Sequence, residues 1–275
     1  MKAAKATSLL LALFVALSIP CAALAQDRDD AAARERARLY TDGKSPLSAT
    51  DPEFAKTRDN LILGQIWQRG ELSEELRVLV TIVTKAALGS STVASTTEAA
   101  LNLKVDPVKI KEAIYQATPY IGYPRAEDAL AQINTVFEER GIRLPLEGQG
   151  TVTEETRFKE GVAMQKRIFG SAGIDAMHKN TPKGQEHISI DYLSAWCFGD
   201  TYTRKVLDLK TRELLTFVAI SALGGCEPQV KSHVQGNLNV GNTRQQLVEV
   251  LAVMNPYIGF PRTLNALGCV NAVAK

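Results

Sequence analysis

The sequence predicts an all-α protein: two tandem copies of one compact helical module. Three observations carry this. Segments of helical period follow one another with no alternating strand run. Helix start and stop signals recur at short intervals along the chain. Residues 72–130 repeat, in frame, the stretch from Leu207 to Leu267.

The elements follow in order. Residues 1–25 read as an export signal, with Lys2 and Lys5 before an apolar run from Leu9 to Ile19 and the small-x-small site Ala23-Leu24-Ala25. An uncleaved anchor and a lipoprotein using Cys21 are the alternatives, and Pro20 fits the second poorly. Ala31–Tyr40 reads as a charged helix, 41–51 as a loop, and Phe54–Gly70 as helical again. Ser73 caps a helix that runs to Leu88 and is ended by Gly89. Helices are expected from Thr92 to Leu103, from Val108 to about Thr118 behind the Asp106-Pro107 start, and from Arg125 to Arg140. Pro119 is expected to kink or break the third of these.

Gly141–Thr153 reads as the linker, with Thr153 capping the next helix, and places the repeats at 26–146 and 147–275. Phe158–Phe169 is helical, Ile174–Gln185 turns at Thr181-Pro182, and Ile188–Tyr202 is apolar and aromatic.

Aligning the halves makes the duplication explicit. Shifted by 135 residues, Gly64, Arg69, Leu72, Arg77, Thr81 and Gly89 fall on Gly199, Arg204, Leu207, Arg212, Thr216 and Gly224. Shifted by 137, Leu101, Asn102 and Glu112 fall on Leu238, Asn239 and Glu249, and PYIGYPR at 119–125 falls on PYIGFPR at 256–262. The reactive residues do not repeat. Glu213 and His233 fall on Val78 and Thr96, and Cys226 falls among Ser90 and Ser91.

Composition narrows the function. Hydrophobic residues at 45% and charged residues at 23% are ordinary for a globular protein with a core of normal size. With 32 basic against 30 acidic residues and no like-charge block, nothing argues for nucleic acid. Once the signal is removed, no stable membrane insertion is expected. Cys197, Cys226 and Cys269 then remain, an odd number that leaves at least one free thiol. His178, His187 and His233 show no metal-ligand spacing, so no metal or cofactor is expected.

Leu207–Leu267 resembles the carboxymuconolactone decarboxylase family. The matching pattern is L-D-x-K-T-R-E-L at 207–214, A-L-G at 222–224, His233, L-N-x-G at 238–241 and Y-x-G-x-P at 257–261. Gly161–Gly170 resembles the family's opening helix, and Trp196 and Arg204 stand where its Trp and Arg do. The resemblance covers nearly all of 158–275 and, more weakly, 61–140. It implies rings of six helical domains, which a tandem chain would build as a homotrimer. It also implies a small-molecule substrate, without fixing the reaction, since the family includes decarboxylases, alkylhydroperoxidase-like thiol enzymes and members of unassigned role.

Within that frame His233 is the candidate acid or base, or else a core histidine. Glu213 or Glu227 would orient it, Glu213 being otherwise a carboxylate favoured by a helix N-terminus. Cys226, at a helix start, is a candidate reactive thiol or a small buried residue. Arg204 and Arg212 would hold a substrate carboxylate, or pair structurally, as their recurrence at Arg69 and Arg77 favours. Tyr120 and Tyr257 read as packing. Three functions are carried forward. The first is decarboxylation or proton transfer on a small carboxylated lactone. The second is thiol-dependent peroxidase chemistry at Cys226. The third is a non-catalytic helical assembly. The expected location is outside the cytoplasm, periplasmic or secreted.

Overall fold

The computed structural model describes residues 19–40 and 46–275, and the bulk of the expected export signal lies outside them. Among the described residues every regular element is helical. Two compact units divide the chain at Gly70 and Glu71. The repeat boundary expected at 146/147 therefore falls inside the second unit.

The first unit holds α1 (Ile19–Leu39), a short turn at Pro46–Ser48, α2 (Pro52–Leu61) and a wide-turn π-helix, π1 (Ile62–Ile66). Helix α1 starts well before the expected Ala31: Pro20 is tolerated in its first turn, and the alanine-rich sequence after it carries no further breaker. Within the unit, Arg36 pairs with Asp59 at 2.6 Å.

The second unit begins with α3 (Glu74–Ala87), α4 (Val93–Asn102), α5 (Pro107–Ile121) and α6 (Tyr123–Glu139). Ser73 and Asp106 cap α3 and α5 as expected, their side chains accepting from Leu76 N and Val108 N. Pro119 neither breaks nor ends α5, which stops instead at Gly122 (φ 80°), a left-handed position suited to glycine. Thr153 closes a turn rather than capping a helix, and α7 (Arg157–Phe169) starts three residues after Thr153's neighbour Glu154. It is followed by α8 (Ser171–Asn180), a long π-helix π2 (His187–Tyr202), α9 (Leu209–Leu223), α10 (Glu227–Asn239) and α11 (Arg244–Val273).

Helix α11 is interrupted at Gly259 (φ 74°), the counterpart of Gly122. So α11 answers to α5 and α6 together, α9 to α3, and α10 to α4. Helices α3 and α9 are the buried centre and pack on each other. Each central helix also packs on the long helix of the other repeat, α9 on α5 and α3 on α11. Their charges cross the same way. Glu112 of α5 accepts from Arg204 and Arg212, while Glu249 of α11 accepts from the backbone N–H groups of Glu71 and Leu72, next to Arg77. Each repeat thus completes the other, and no helix among the described residues is long and apolar enough to cross a membrane.

Candidate active site

The packing of α9, α10, π2 and α5 brings one acid and one base into contact. Glu213, in the first turns of α9, is fully buried, and its Oε1 lies 2.6 Å from His233 Nδ1 on α10. The approach depends on Gly236, one turn beyond His233, where a Cβ would overlap Glu213 Oε1. The first repeat has Ala99 there, opposite Val78. Asn237 fixes the same turn, donating to the carbonyls of Glu213 and His233.

The second oxygen, Glu213 Oε2, accepts from the Tyr202 hydroxyl at 2.7 Å. That hydroxyl also lies 2.7 Å from Thr216 Oγ1 and 3.3 Å from the Tyr120 hydroxyl. Cys197 donates to Tyr120 at 3.3 Å. Burial, followed by neighbouring negative charge, pushes both Tyr202 and Tyr120 well above the ordinary phenol range. Burial pushes the Cys197 thiol up to about 12. All three are therefore protonated donors at neutral pH, and none is a nucleophile. The imidazole is walled by Tyr120 and Phe169, both edge-on, at 5.7 and 5.4 Å between ring centroids. With Nδ1 held by Glu213 and a tenth of the side-chain surface still open, Nε2 is the nitrogen left for proton transfer.

Of the acid, base and thiol candidates singled out in sequence, the structure brings His233 and Glu213 together. Glu227 stands at the start of α10, where Asn265 donates to it at 3.3 Å, and takes no part in orienting His233. Cys226 sits at the cap position of α10, its Sγ directed to the Gly224 carbonyl at 3.4 Å. Arg204 and Arg212 are both bound to Glu112, at 2.7 and 3.0 Å, and Arg212 also donates to the carbonyls of Arg204, Lys205 and Leu207. Arg212 is fully buried, with its pKa lowered by that burial against the pull of Glu112. The ion-pairing alternative describes both arginines.

Tyr120, Gln116, Tyr202 and Thr216 were missed. A signal existed: Glu112, Gln116 and Tyr120 recur every four residues on the buried face of α5, and their counterparts are Glu249, Val253 and Tyr257. The Gln116/Val253 difference marks the side of the site that the first repeat supplies. Among the described residues no group of His, Cys, Asp and Glu is placed to hold a metal ion. Cys197, Cys226 and Cys269 are all free thiols.

A buried Glu–His pair thus lies in one half of a duplicated, all-helical frame. The carboxymuconolactone decarboxylase family model matches twice, over residues 52–134 and 190–272, and the chain belongs to that family. Among its relatives, 4-carboxymuconolactone decarboxylase of Acinetobacter baylyi is 24% identical over 45% of this chain and 91% of its own length. Nitrosuccinic acid decarboxylase of Metarhizium robertsii is 30% identical over 40% of this chain and 76% of its own. An uncharacterized 15.0 kDa protein of Paracoccus denitrificans is 37% identical over 36% of this chain and 70% of its own. The fold matches a crystal structure from Burkholderia xenovorans, provisionally assigned as a gamma-carboxymuconolactone decarboxylase subunit. Its TM-score is 0.52 at 21% identity, covering 88% of this chain and 95% of that one.

Proposed function

We propose that this protein is a carboxy-lyase or proton-transfer enzyme acting on a small carboxylated, lactone-type substrate, with His233 as its acid–base group. The observation that carries the reading is the buried contact between Glu213 and His233 at 2.6 Å. Loss of CO2 leaves an electron pair that must settle on an adjacent carbonyl system, and the resulting carbon must then be protonated. An imidazole titrates near neutrality and suits that delivery. Glu213 bound at Nδ1 fixes the ring so that Nε2 faces the reacting carbon, the role an orienting carboxylate has in other acid–base sites. Two relatives with decarboxylase names, one acting on a carboxylated lactone and one on nitrosuccinic acid, agree with small carboxylated substrates.

The test is release of CO2 from 4-carboxymuconolactone by the purified protein, with His233→Ala as control. Turnover lost in His233→Ala supports the reading. Turnover that persists in the variant, or none with any carboxylated lactone, sinks it. On the same footing we propose export, with a mature chain beginning at Gln26, and assembly as a homotrimer forming a pseudo-hexameric ring. N-terminal sequencing of the native protein and light scattering check these, and a soluble cytoplasmic chain starting at Met1, or a monomer, would refute them.

A further inference from the structure

The hydrogen bonds behind Glu213 run in one direction. Arg212 Nη1 can only donate, and it donates to Gln116 Oε1 at 3.0 Å, which turns the Gln116 amide nitrogen toward Thr216. Gln116 Nε2 then donates to Thr216 Oγ1 at 3.1 Å. Thr216 and Tyr202 have one hydroxyl proton each. Tyr202 gives its proton to Glu213 Oε2, so its oxygen accepts from Thr216, and the proton of Tyr120, which itself accepts from Cys197, is the one left to bridge the two phenols. Every donor points toward Glu213, and the chain starts at a fixed positive charge. With every other neighbour of the carboxylate donating to it, Glu213 is the acceptor at its contact with Nδ1.

The counterpart positions show that this is one device. Gln116, Tyr202, Glu213 and His233 fall on Val253, Trp67, Val78 and Thr96. These four are absent together there, whereas Arg212, Thr216 and Tyr120 recur as Arg77, Thr81 and Tyr257. Gln116 and Tyr202, which join these shared residues to one another and to Glu213, are thus present where the Glu–His pair is and absent where it is not.

We propose that Gln116, Thr216 and Tyr202 form a one-way hydrogen-bond relay that positions Glu213 as the acceptor of the His233 Nδ1 proton, and that the first repeat is thereby part of the site. None of the three is a catalytic residue; they act through Glu213. The functional meaning rests on the proposed role of His233, but the test reads the imidazole directly and needs no substrate.

The full chain is labelled with 15N-histidine, and its three histidines are resolved by two-bond proton–nitrogen correlation, His233 being assigned by its loss in His233→Gln. In the neutral ring the expected wild-type tautomer carries its proton on Nδ1, and that proton is slow to exchange. Tyr202→Phe removes one hydroxyl and keeps the ring that stacks on Phe198 at 4.7 Å, and Thr216→Val cuts the relay one step further back. Tyr202→Phe should speed Nδ1 proton exchange by about tenfold or more, the loss expected when a hydrogen bond to a charged group is removed, Thr216→Val should speed it by less, and both should mix the two tautomers. Tyr257→Phe, the counterpart of Tyr120 in the second repeat, should leave the His233 signal unchanged. A wild-type ring protonated at Nε2 would overturn the relay. So would Nδ1 exchange unaltered in both relay variants, or altered equally by Tyr257→Phe. If the relay behaves as stated while no lyase turnover is found, the functional reading alone fails.

Discussion

Where the second repeat has His233, the first has Thr96, and the two positions are furnished in parallel ways. Tyr120 stands edge-on to His233, while Tyr257 lies beneath Lys85, whose ammonium is 5.7 Å from the ring centre. Lys85 Nζ donates to Thr96 Oγ1 at 2.7 Å and to the Thr92 carbonyl at 2.9 Å. One position therefore holds an acid–base pair and the other a buried cation among oxygen acceptors, on the same backbone frame. The comparison separates what the fold requires from what chemistry requires. A glutamate reaching across to the other repeat, Glu112 or Glu249, and a glycine break, Gly122 or Gly259, occur in both halves. The Glu–His pair, its relay and the cleared space at Gly236 occur once.

The widest difference between the halves should appear in turnover. His233→Ala and Glu213→Gln should each lower activity on the true substrate by about a hundredfold or more, the usual contribution of a positioned acid or base. Thr96→Ala should leave it unchanged. Steady-state rates beside circular dichroism and light scattering check this, since all three variants should keep their helix content and mass. A comparable loss in Thr96→Ala would show that both positions work.

Stability should split between the two crossing glutamates. Glu112 is buried between Arg204 and the fully buried Arg212, so Glu112→Gln strands a buried charge and should cost about 3 kcal/mol or more. Its counterpart Glu249 is only partly buried, and Glu249→Gln should cost less than about 1 kcal/mol. Urea unfolding of the two variants measures the gap, and equal losses would mean that the two crossings are equivalent despite their different burial.

The fold was legible because duplication doubles every signal. The caps at Ser73 and Asp106 and the PYIG breaks identify helices whichever copy is inspected, and the asymmetry at Val78 and Thr96 pointed to Glu213 and His233. Pro119 was expected to kink or break its helix; the helix carries on through it for two residues, and the break falls at Gly122. Tyr120 misled for a subtler reason. Both copies keep the tyrosine, so its recurrence reads as packing, while its partner Gln116 differs from Val253 in a helix whose face could not be oriented without knowing which neighbour it meets. Arg204 and Arg212 were ambiguous in sequence for the same reason, as the Glu that binds them lies about a hundred residues away.

Alkaline titration sharpens the comparison further. The folded Cys197 thiol is pushed up to about 12, whereas in the unfolded chain it ionises near 8.5. Below that both states hold the proton, and stability does not depend on this group. As pH rises from there toward about 12, only the unfolded chain releases it, so stability falls by about 1.4 kcal/mol per pH unit. Tyr120 and Tyr202, also raised, act in the same direction from higher pH. The first-repeat counterparts of Cys197 and Tyr202 are Ile62 and Trp67, which do not titrate. Urea midpoints at pH 7, 9 and 10 should fall for the wild type, and fall less for Cys197→Ala. An equal fall in both would place the alkaline sensitivity elsewhere.

The smallest effect expected is at Cys226, and it bears on the thiol chemistry that the sequence left open. Cys226 and His233 are seven residues apart on one helix, roughly 10 Å along its axis, and a thiolate–imidazole pair needs contact near 3 Å, roughly. One turn before His233 stands Gln229, so the second cysteine of a C-x-x-C pair is missing at the place beside the imidazole. The other thiols do not replace it: Cys197 is held by Tyr120, and Cys269 points to the Glu227 carbonyl at 3.7 Å. Cys226→Ser should therefore change lyase turnover by no more than about twofold, the range of a neutral surface substitution. In the folded protein iodoacetamide should label Cys226, which is partly exposed, ahead of the buried Cys197. With an organic hydroperoxide and a dithiol, turnover should stay at background. Robust hydroperoxide reduction that disappears in Cys226→Ser would reverse the order of the two chemistries and move the active group from the middle of α10 to its start.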